Sequence, residues 1–193
     1  RLNEESHFRF KVPRYADLLM DTYVVVNMPI IWSPIYLNKE NGENKEIPYE
    51  FRWIENLGTE IIKEITITSG SQTLQRYPGY YIQQIVERDY NNSKKELFNE
   101  MTGNIDEMKY PEKIFDNQYP SASYIESQEG AQPSILGRKL YIPLMSWFGS
   151  NSKMAFPLVA LQYNELHINI TVRPMSEIFT IRDVHNNRDN YPV

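Results

Sequence analysis

The sequence contains no cysteine among its 193 residues. This absence excludes disulfide bonds, zinc sites built from thiolates and a cysteine nucleophile. It is compatible with a protein that assembles in a reducing compartment, where disulfides are rare.

A long apolar run and a basic patch are also missing. No apolar stretch approaches the roughly 18–20 residues that a membrane-spanning helix needs. The formal net charge is −5, and the longest run of basic residues is Lys94-Lys95. Because nucleic-acid binding needs a basic face, we expect no direct contact with nucleic acid.

Aromatic residues, in contrast, are abundant. They make up 13% of the chain, and 14 of them are Tyr. Tyr joins an apolar ring to a polar hydroxyl, which suits both β-sheets and protein interfaces. The hydrophobic share of 41% is ordinary for a globular protein, and the length is sufficient for one domain with a core.

The first part of the chain predicts strands. Residues 22–28 form a short β-branched run that is typical of a strand buried on both faces. Residues 38–46 are polar and predict a loop. Residues 61–68 alternate between Ile and Glu or Thr, which indicates a half-buried strand. A turn at 69–71 then leads to a returning strand at 72–77.

The middle of the chain has a different period. Apolar residues between 80 and 103 follow helical spacing, which predicts short helices near 80–90 and 94–101. Residues 104–135 are rich in Pro, Ser, Asn and Gln and predict a long loop. We therefore expect residues 80–135 to be an insertion between strands.

Strand patterns return after the insertion. Residues 139–147 are strand-like, and the region 158–172 ends in an alternating run at 166–172 with one apolar and one polar face. A further strand begins near 178–184. Short strands separated by long loops predict an all-β fold, namely an antiparallel β-sandwich of the jelly-roll type with an inserted segment of loop and short helices.

Three stretches resemble a known family. Residues 139–173 contain Ile142-Pro143-Leu144, Trp147-Phe148, Ala155-Phe156-Pro157-Leu158-Val159 and Leu161-Gln162-Tyr163. Residues 51–82 contain Trp53, Asn56-Leu57-Gly58, Gly70-Ser71-Gln72 and Gly79. Together with residues 10–29, they resemble the major capsid proteins of nucleocytoplasmic large DNA viruses, and their order along the chain is that of the family. The sequence is closest to the giant-virus branch of this family.

The resemblance implies a specific architecture and function. Residues 1–193 would be the first, N-terminal jelly roll of a double jelly-roll protein, incomplete at its C-terminal end. Such proteins form homotrimers of pseudo-hexagonal outline, and these capsomers tile the icosahedral shell of a virion assembled in the host cytoplasm. The expected partners are further copies, neighbouring capsomers and minor capsid proteins, with at most indirect contact to an internal membrane.

Two binding functions compete with this interpretation. A metal-binding cupin needs several converging His side chains, but the sequence has only His7, His167 and His185. A carbohydrate-binding jelly-roll module would use exposed Trp rings, and it remains the alternative. Trp53 and Trp147 lie in the stretches that resemble the capsid family and favour core positions, whereas Trp32 is undecided.

Catalysis is not predicted. The sequence has no nucleophile elbow or glycine-rich phosphate loop, and nothing places two carboxylates together. We therefore assign no catalytic, cofactor-binding or metal-binding residues and expect a protein that is not an enzyme. Two glycosylation sequons occur, at Asn91 and Asn169. The second lies within a strand and is attributed to chance, and the first is a candidate surface site.

Overall fold

The computed structural model describes residues 3–32, 35–40, 43–110, 133–161 and 164–183, with the backbone alone at 35–40, 43–50 and 182–183. Within these ranges the chain forms eleven β-strands and four α-helices. The strands are β1 (Ser6–Lys11), β2 (Leu18–Leu19), β3 (Tyr23–Met28), β4 (Ile35–Glu40), β5 (Glu43–Trp53), β6 (Ile62–Ser69), β7 (Gln72–Pro78), β8 (Arg138–Pro143), β9 (Phe156–Pro157), β10 (Leu166–Val172) and β11 (Phe179–Asp183). The helices are α1 (Leu57–Glu60), α2 (Tyr80–Asp89), α3 (Asn92–Thr102) and α4 (Asp106–Lys109).

The largest sheet has four antiparallel strands in the order β1-β10-β6-β7. Alternation in β6 and β10 places their isoleucines on one face, as the sequence predicts. This face is buried at Ile65, Ile67, Ile168 and Ile170. Burial of such side chains stabilises each by roughly 1.5–3 kcal/mol, so this face anchors the core.

Three smaller antiparallel sheets complete the sheet structure of the described residues. Strands β3 and β8 form a two-stranded ribbon, β2 pairs with β9, and β11-β5-β4 form a three-stranded sheet. The prediction of an antiparallel all-β fold is confirmed.

The polar loop expected at 38–46 is wrong, because these residues fall mostly in the hairpin of β4 and β5. The register pairs Glu40 with Glu43 and leaves two residues between the strands. In the sequence these are Asn41-Gly42, a dipeptide that strongly favours two-residue hairpins. The polarity of the segment concealed this signal.

Two predicted strands are shorter than expected. Strand β8 ends at Pro143, so residues 144–147 are not part of it, and Met145 takes a left-handed conformation with φ of 50°. The predicted region 158–172 is a strand only from Leu166 onward, because Leu158–Ala160 form a 3-10 turn after the two-residue strand β9. The aromatic rings explain the turns, because Trp147, Phe148 and Phe156 pack edge to face with ring centroids 5.0–6.1 Å apart.

Helices α2 and α3 lie where helical spacing predicts them. Each buries one stripe, Ile82 with Val86 on α2 and Phe98 with Thr102 on α3. Asn91 caps α3, since its side chain accepts a hydrogen bond from the backbone N–H of Lys94 at 3.0 Å. The helices therefore pack on the core, while the status of residues 80–135 as an insertion stays a prediction.

Candidate assembly surfaces

The β3–β8 ribbon has one buried and one exposed face. Leu140 and Ile142 point inward and are fully buried. On the outer face Val25 lies directly opposite Tyr141, with Tyr23 next to them, and all three are about half exposed. The prediction that residues 22–28 are buried on both faces is therefore wrong for this chain on its own. The apolar composition of this strand suits burial on both faces, but in this chain only one face is covered.

A pocket of about 350 Å³ adjoins this outer face at Tyr23. Asp21 and Asp89 line it together with Tyr90 and Lys94. The pKa of Tyr90 is raised, first by burial and then by the negative charges that Tyr23, Asp21 and Asp89 carry when ionised. Lys94 lies 5.7 Å from the centre of the Tyr90 ring.

The carboxylate of Asp21 contributes most to the unbalanced negative charge of the pocket. Arg88 neutralises Asp89 at 2.6 Å, but within the described ranges Asp21 has neither an ion pair nor a hydrogen bond. A cationic group brought to the mouth of the pocket would therefore be attracted to Asp21.

A second exposed surface is the edge strand β1. Its neighbour β10 covers one edge, and within the described residues nothing pairs with the other. Phe8 and Phe10 stack with ring centroids 6.3 Å apart, and each is about half exposed. Both rings extend the apolar face of the main sheet, because they lie opposite Ile170 and Ile168.

The opposite face of β1 carries cations. Lys11 forms an ion pair with Glu165. Arg9 contacts only a ring nitrogen of His167, at 3.4 Å, and within the described ranges it has no carboxylate partner. The sequence analysis missed this strand, although the alternation of His7, Arg9 and Lys11 with two Phe residues was the signal.

The two histidines within the described residues lie in separate hydrogen-bonded contacts and not in a metal site. His7 shares a hydrogen bond with Thr171 at 3.0 Å, and His167 lies between Arg9 and Glu165. The neighbouring long side chains leave His167 only 9% exposed, although it lies on the polar face of its strand. In the described part of the chain no group of three or more His, Asp or Glu side chains could hold a metal ion. His185 lies outside the described residues.

The tryptophans occupy different environments. Trp53 is buried, as predicted, and Trp147 is half buried in its aromatic cluster. Trp32 is exposed and lies near the exposed side chains of Ile30 and Leu136, which flank the bridge between Ile31 and Ile135. Asn169 donates to the carbonyl of Thr66 at 3.2 Å from within β10, which agrees with attributing its sequon to chance.

The Asn-Leu-Gly motif and Gly79 have structural roles. Asn56 takes a left-handed conformation with φ of 52° and begins α1. Gly58 lies against Thr102, where an added Cβ would come within 2.6 Å of the Thr102 carbonyl oxygen. Gly79 lies against the carbonyl oxygens of Thr59 and Ile62, and no Cβ fits there.

Comparison with known proteins gives a consistent result. The family model described as major capsid protein N-terminus matches residues 2–190. The chain belongs to this major capsid protein family. The family resemblance that the sequence motifs indicated is confirmed.

Individual relatives of this capsid domain support the assignment. It is 27% identical over 170 residues to the major capsid protein of Tipula iridescent virus, covering 88% of this chain and 32% of the relative. It is 28% identical over 171 residues to probable capsid protein 4 of Acanthamoeba polyphaga mimivirus, covering 89% and 28%. The chain thus spans about a third of the length of the curated relatives it matches.

The Faustovirus major capsid protein has the same fold as the capsid domain. The two structures superpose with a TM-score of 0.57 at 12% identity, over 90% of this chain and 40% of the other. At this identity the likeness concerns the fold, which is the jelly-roll capsid fold that the sequence predicts. In the described ranges of the capsid domain, the helices are too short or too polar to cross a lipid bilayer.

Proposed function

We propose that this domain is a structural building block of the icosahedral shell of a large double-stranded DNA virus. The observation that carries the proposal is the match of residues 2–190 to the N-terminal part of major capsid proteins. The relatives are structural capsid proteins and not enzymes, so the domain acts by packing against other protein surfaces rather than by chemistry.

The domain is the first of two jelly rolls in its subunit, with residues 80–135 as an insertion. The description of the matching family as the N-terminus of major capsid proteins supports this position. The relatives, about three times as long as the matched region, leave room for a second roll of similar size.

Three such subunits form a capsomer of pseudo-hexagonal outline. The two half-exposed apolar surfaces, on the outer face of β3–β8 and along β1, support assembly because they resemble parts of an interface more than ordinary solvated surface. Other capsomers and minor capsid proteins contact the remaining loops. The product is a virion shell assembled in the host cytoplasm, and any internal membrane is contacted indirectly.

The native mass of the complete polypeptide tests this proposal. Light scattering coupled to size-exclusion chromatography should give three times the subunit mass, and negative-stain electron microscopy should show particles of hexagonal outline. A protein that remains monomeric at tens of micromolar would contradict the proposal. Glycan-array binding by that monomer would instead favour the carbohydrate-binding alternative.

A further inference from the structure

We propose that the pocket beside Asp21 is a binding site for a primary ammonium group on an aliphatic stem, with Asp21 as its counter-ion and Ser146 as a second oxygen ligand. This inference goes beyond the proposed function, because the pocket lies within one copy of the chain and is complete without another. Four features of the pocket support it.

The first feature is the free hydroxyl of Ser146. Ser146 lines the pocket although it is only 2% exposed. Its carbonyl accepts hydrogen bonds from the backbone N–H of Gly149 at 3.0 Å and from the hydroxyl of Ser150 at 3.4 Å. Within the described ranges its own hydroxyl makes no hydrogen bond. Because a buried hydroxyl without a partner costs free energy, this arrangement indicates that the partner is a polar group in the pocket.

The second feature is the free carboxylate of Asp21. In the described part of the chain Asp21 has neither an ion pair nor a hydrogen bond, although Lys94 lines the same pocket. Asp89 differs, because Arg88 donates to both of its carboxylate oxygens, at 2.6 and 2.8 Å. Asp21 is therefore the carboxylate that is available to a cation.

The third feature is the position of Gly149 beside both of these side chains. A Cβ on Gly149 would lie 3.5 Å from Oδ1 of Asp21 and 3.8 Å from Oγ of Ser146. The glycine thus leaves open a space that both oxygen atoms border. An ammonium group suits such a space, because it is a compact cation whose three donors point in different directions.

The fourth feature is the chemistry of the walls. Two tyrosines and three apolar residues line the pocket, namely Tyr23, Tyr90, Ile85, Pro143 and Met145. Apolar walls suit a methylene stem, and aromatic rings attract a cation. The volume of about 350 Å³ is that of a small-ligand site. A hard metal ion fits less well, since it needs several oxygen ligands and the described residues contain no suitable group of three.

Lys94 determines the sign of a further effect. It lines the pocket, and its ammonium group lies 5.7 Å from the centre of the Tyr90 ring. A second cation in the pocket is repelled by this charge and attracted by Asp21. Loss of the Lys94 charge should therefore strengthen binding of an amine, whereas loss of the Asp21 charge should weaken it.

Ligand-observed NMR on the complete polypeptide tests the site. Saturation-transfer difference spectra, recorded over a titration with 1,5-diaminopentane, give an apparent dissociation constant. The matched ligand control is 1,5-pentanediol, which has the same stem and no charge. Binding of the diamine should saturate, and the diol should show no saturable binding.

Charge variants test the electrostatics of the site. Asp21→Asn should raise the dissociation constant of the diamine at least about fivefold, and Lys94→Met should lower it at least about twofold. Glu96→Gln is the matched control. It makes the same change from carboxylate to amide on an exposed residue of α3 outside the pocket lining, and it should leave the constant unchanged.

Uncharged variants test the geometry. Ser146→Ala removes the free hydroxyl, and Gly149→Ala fills the space between the two oxygen atoms. Each should raise the dissociation constant at least about twofold, because the ammonium group loses a hydrogen bond or its space. Neither should lower the melting temperature appreciably, since the Ser146 hydroxyl has no partner to lose and the added Cβ makes ordinary contacts.

Assembled shells distinguish two sources of the ammonium group. If the natural ligand is a free amine, the diamine should bind the shell as it binds the separate polypeptide. If it is a lysine side chain of another capsid protein, the shell should no longer bind the diamine. A carbodiimide should then join Asp21 to that lysine, and mass spectrometry of the digested shell identifies the pair.

Each outcome decides the inference. Saturable binding of the diamine that depends on Asp21 and Ser146 supports the site, with either source. Equal binding by all variants, or equal binding of diamine and diol, overturns it. Absence of binding to the separate polypeptide also overturns it, since the pocket then holds only water. None of these measurements depends on trimer formation, so failure of the inference is distinct from failure of the proposed function.

Discussion

The side chain of Asn104 holds Asn56 at two points. Its Nδ2 group donates to Oδ1 of Asn56 at 2.9 Å, and its Oδ1 accepts the backbone N–H of Asn56 at 3.2 Å. This pairing fixes the left-handed residue that begins α1 to the end of α3, 48 positions away in sequence. The helices of the 80–135 segment are thereby joined to the strands that precede them.

We predict that Asn104→Ala destabilises the domain by about 2 kcal/mol. The variant removes three side-chain hydrogen bonds, two to Asn56 and one to Asn99, and leaves the polar groups of Asn56 without their partner. Such losses cost roughly 1–3 kcal/mol. Urea denaturation monitored by tryptophan fluorescence measures the effect. Asn151→Ala is the control and should cost less than half as much, because its side chain accepts hydrogen bonds only from Lys153 and Ser152 in an exposed turn.

We predict that Gly79→Ala prevents folding whereas Gly149→Ala is tolerated. A Cβ on Gly79 would overlap the carbonyl oxygens of Thr59 and Ile62, and these belong to backbone that cannot easily move. At Gly149 the nearest atom, Oδ1 of Asp21, would be 3.5 Å away, an ordinary contact. Yields of soluble protein and melting temperatures compare the two. Equal behaviour of both variants would show that the tight approach at Gly79 is wrong.

We predict that Ile168→Asp blocks folding and that Asn169→Asp is milder. Ile168 is buried in the central strand of the main sheet, where an unpaired charge costs several kcal/mol. Asn169 is half buried and donates to the Thr66 carbonyl, so its replacement by a carboxylate costs about 1–2 kcal/mol. If thermal melts of the two variants coincide, the assignment of faces in β10 is wrong.

The buried hydroxyl of Tyr77 should make stability depend on alkaline pH. It donates to the carbonyl of Leu144, and burial raises the pKa of Tyr77 above its ordinary value of 10.0. The folded state therefore favours the neutral form. This contribution is complete below about pH 10 and decreases as the pH rises further, because the unfolded chain then ionises more readily.

Tyr77→Phe isolates this contribution. At pH 8 the variant should lose about 1–2 kcal/mol, since the Leu144 carbonyl is left buried without its donor. Between pH 9.5 and 11, about the range of Tyr ionisation, the stability of the variant should fall less steeply than that of the unaltered protein. Parallel slopes in a series of urea melts would contradict the buried role of the hydroxyl.

Much of the β structure follows from the sequence because the alternation of apolar and polar residues shows which face of a strand is buried. Strands β6 and β10 have one apolar and one polar face, and their bounds agree with the pattern to within a residue or so. Helices α2 and α3 follow in the same way from their apolar stripes. The signature Ile-Pro-Leu and Asn-Leu-Gly motifs identified the family, which single periodicities could not do.

The remaining features depend on contacts between distant residues. Composition alone does not reveal that only one face of the β3–β8 ribbon is buried and that Val25 lies on the exposed face, since burial depends on tertiary packing. The burial of His167 depends on Arg9, which is 158 positions away. The hairpin of β4 and β5 was not predicted, because the polar residues at 38–46 favoured a loop over the turn signal of Asn41-Gly42. The candidate surfaces therefore follow from how the strands pair and pack, and not from the sequence pattern alone.

The position of β10 between β1 and β6 determines when the main sheet can form. His7 in β1 meets Thr171 in β10 across 164 positions of the chain. During synthesis β1 leaves the ribosome long before its partner exists, with Phe8 and Phe10 unprotected. Closing so long a loop makes folding slow, and exposed edges in the meantime favour aggregation. Efficient production of this capsid domain is therefore expected to require conditions that keep the nascent N-terminal strand from aggregating until residues 166–172 have been translated.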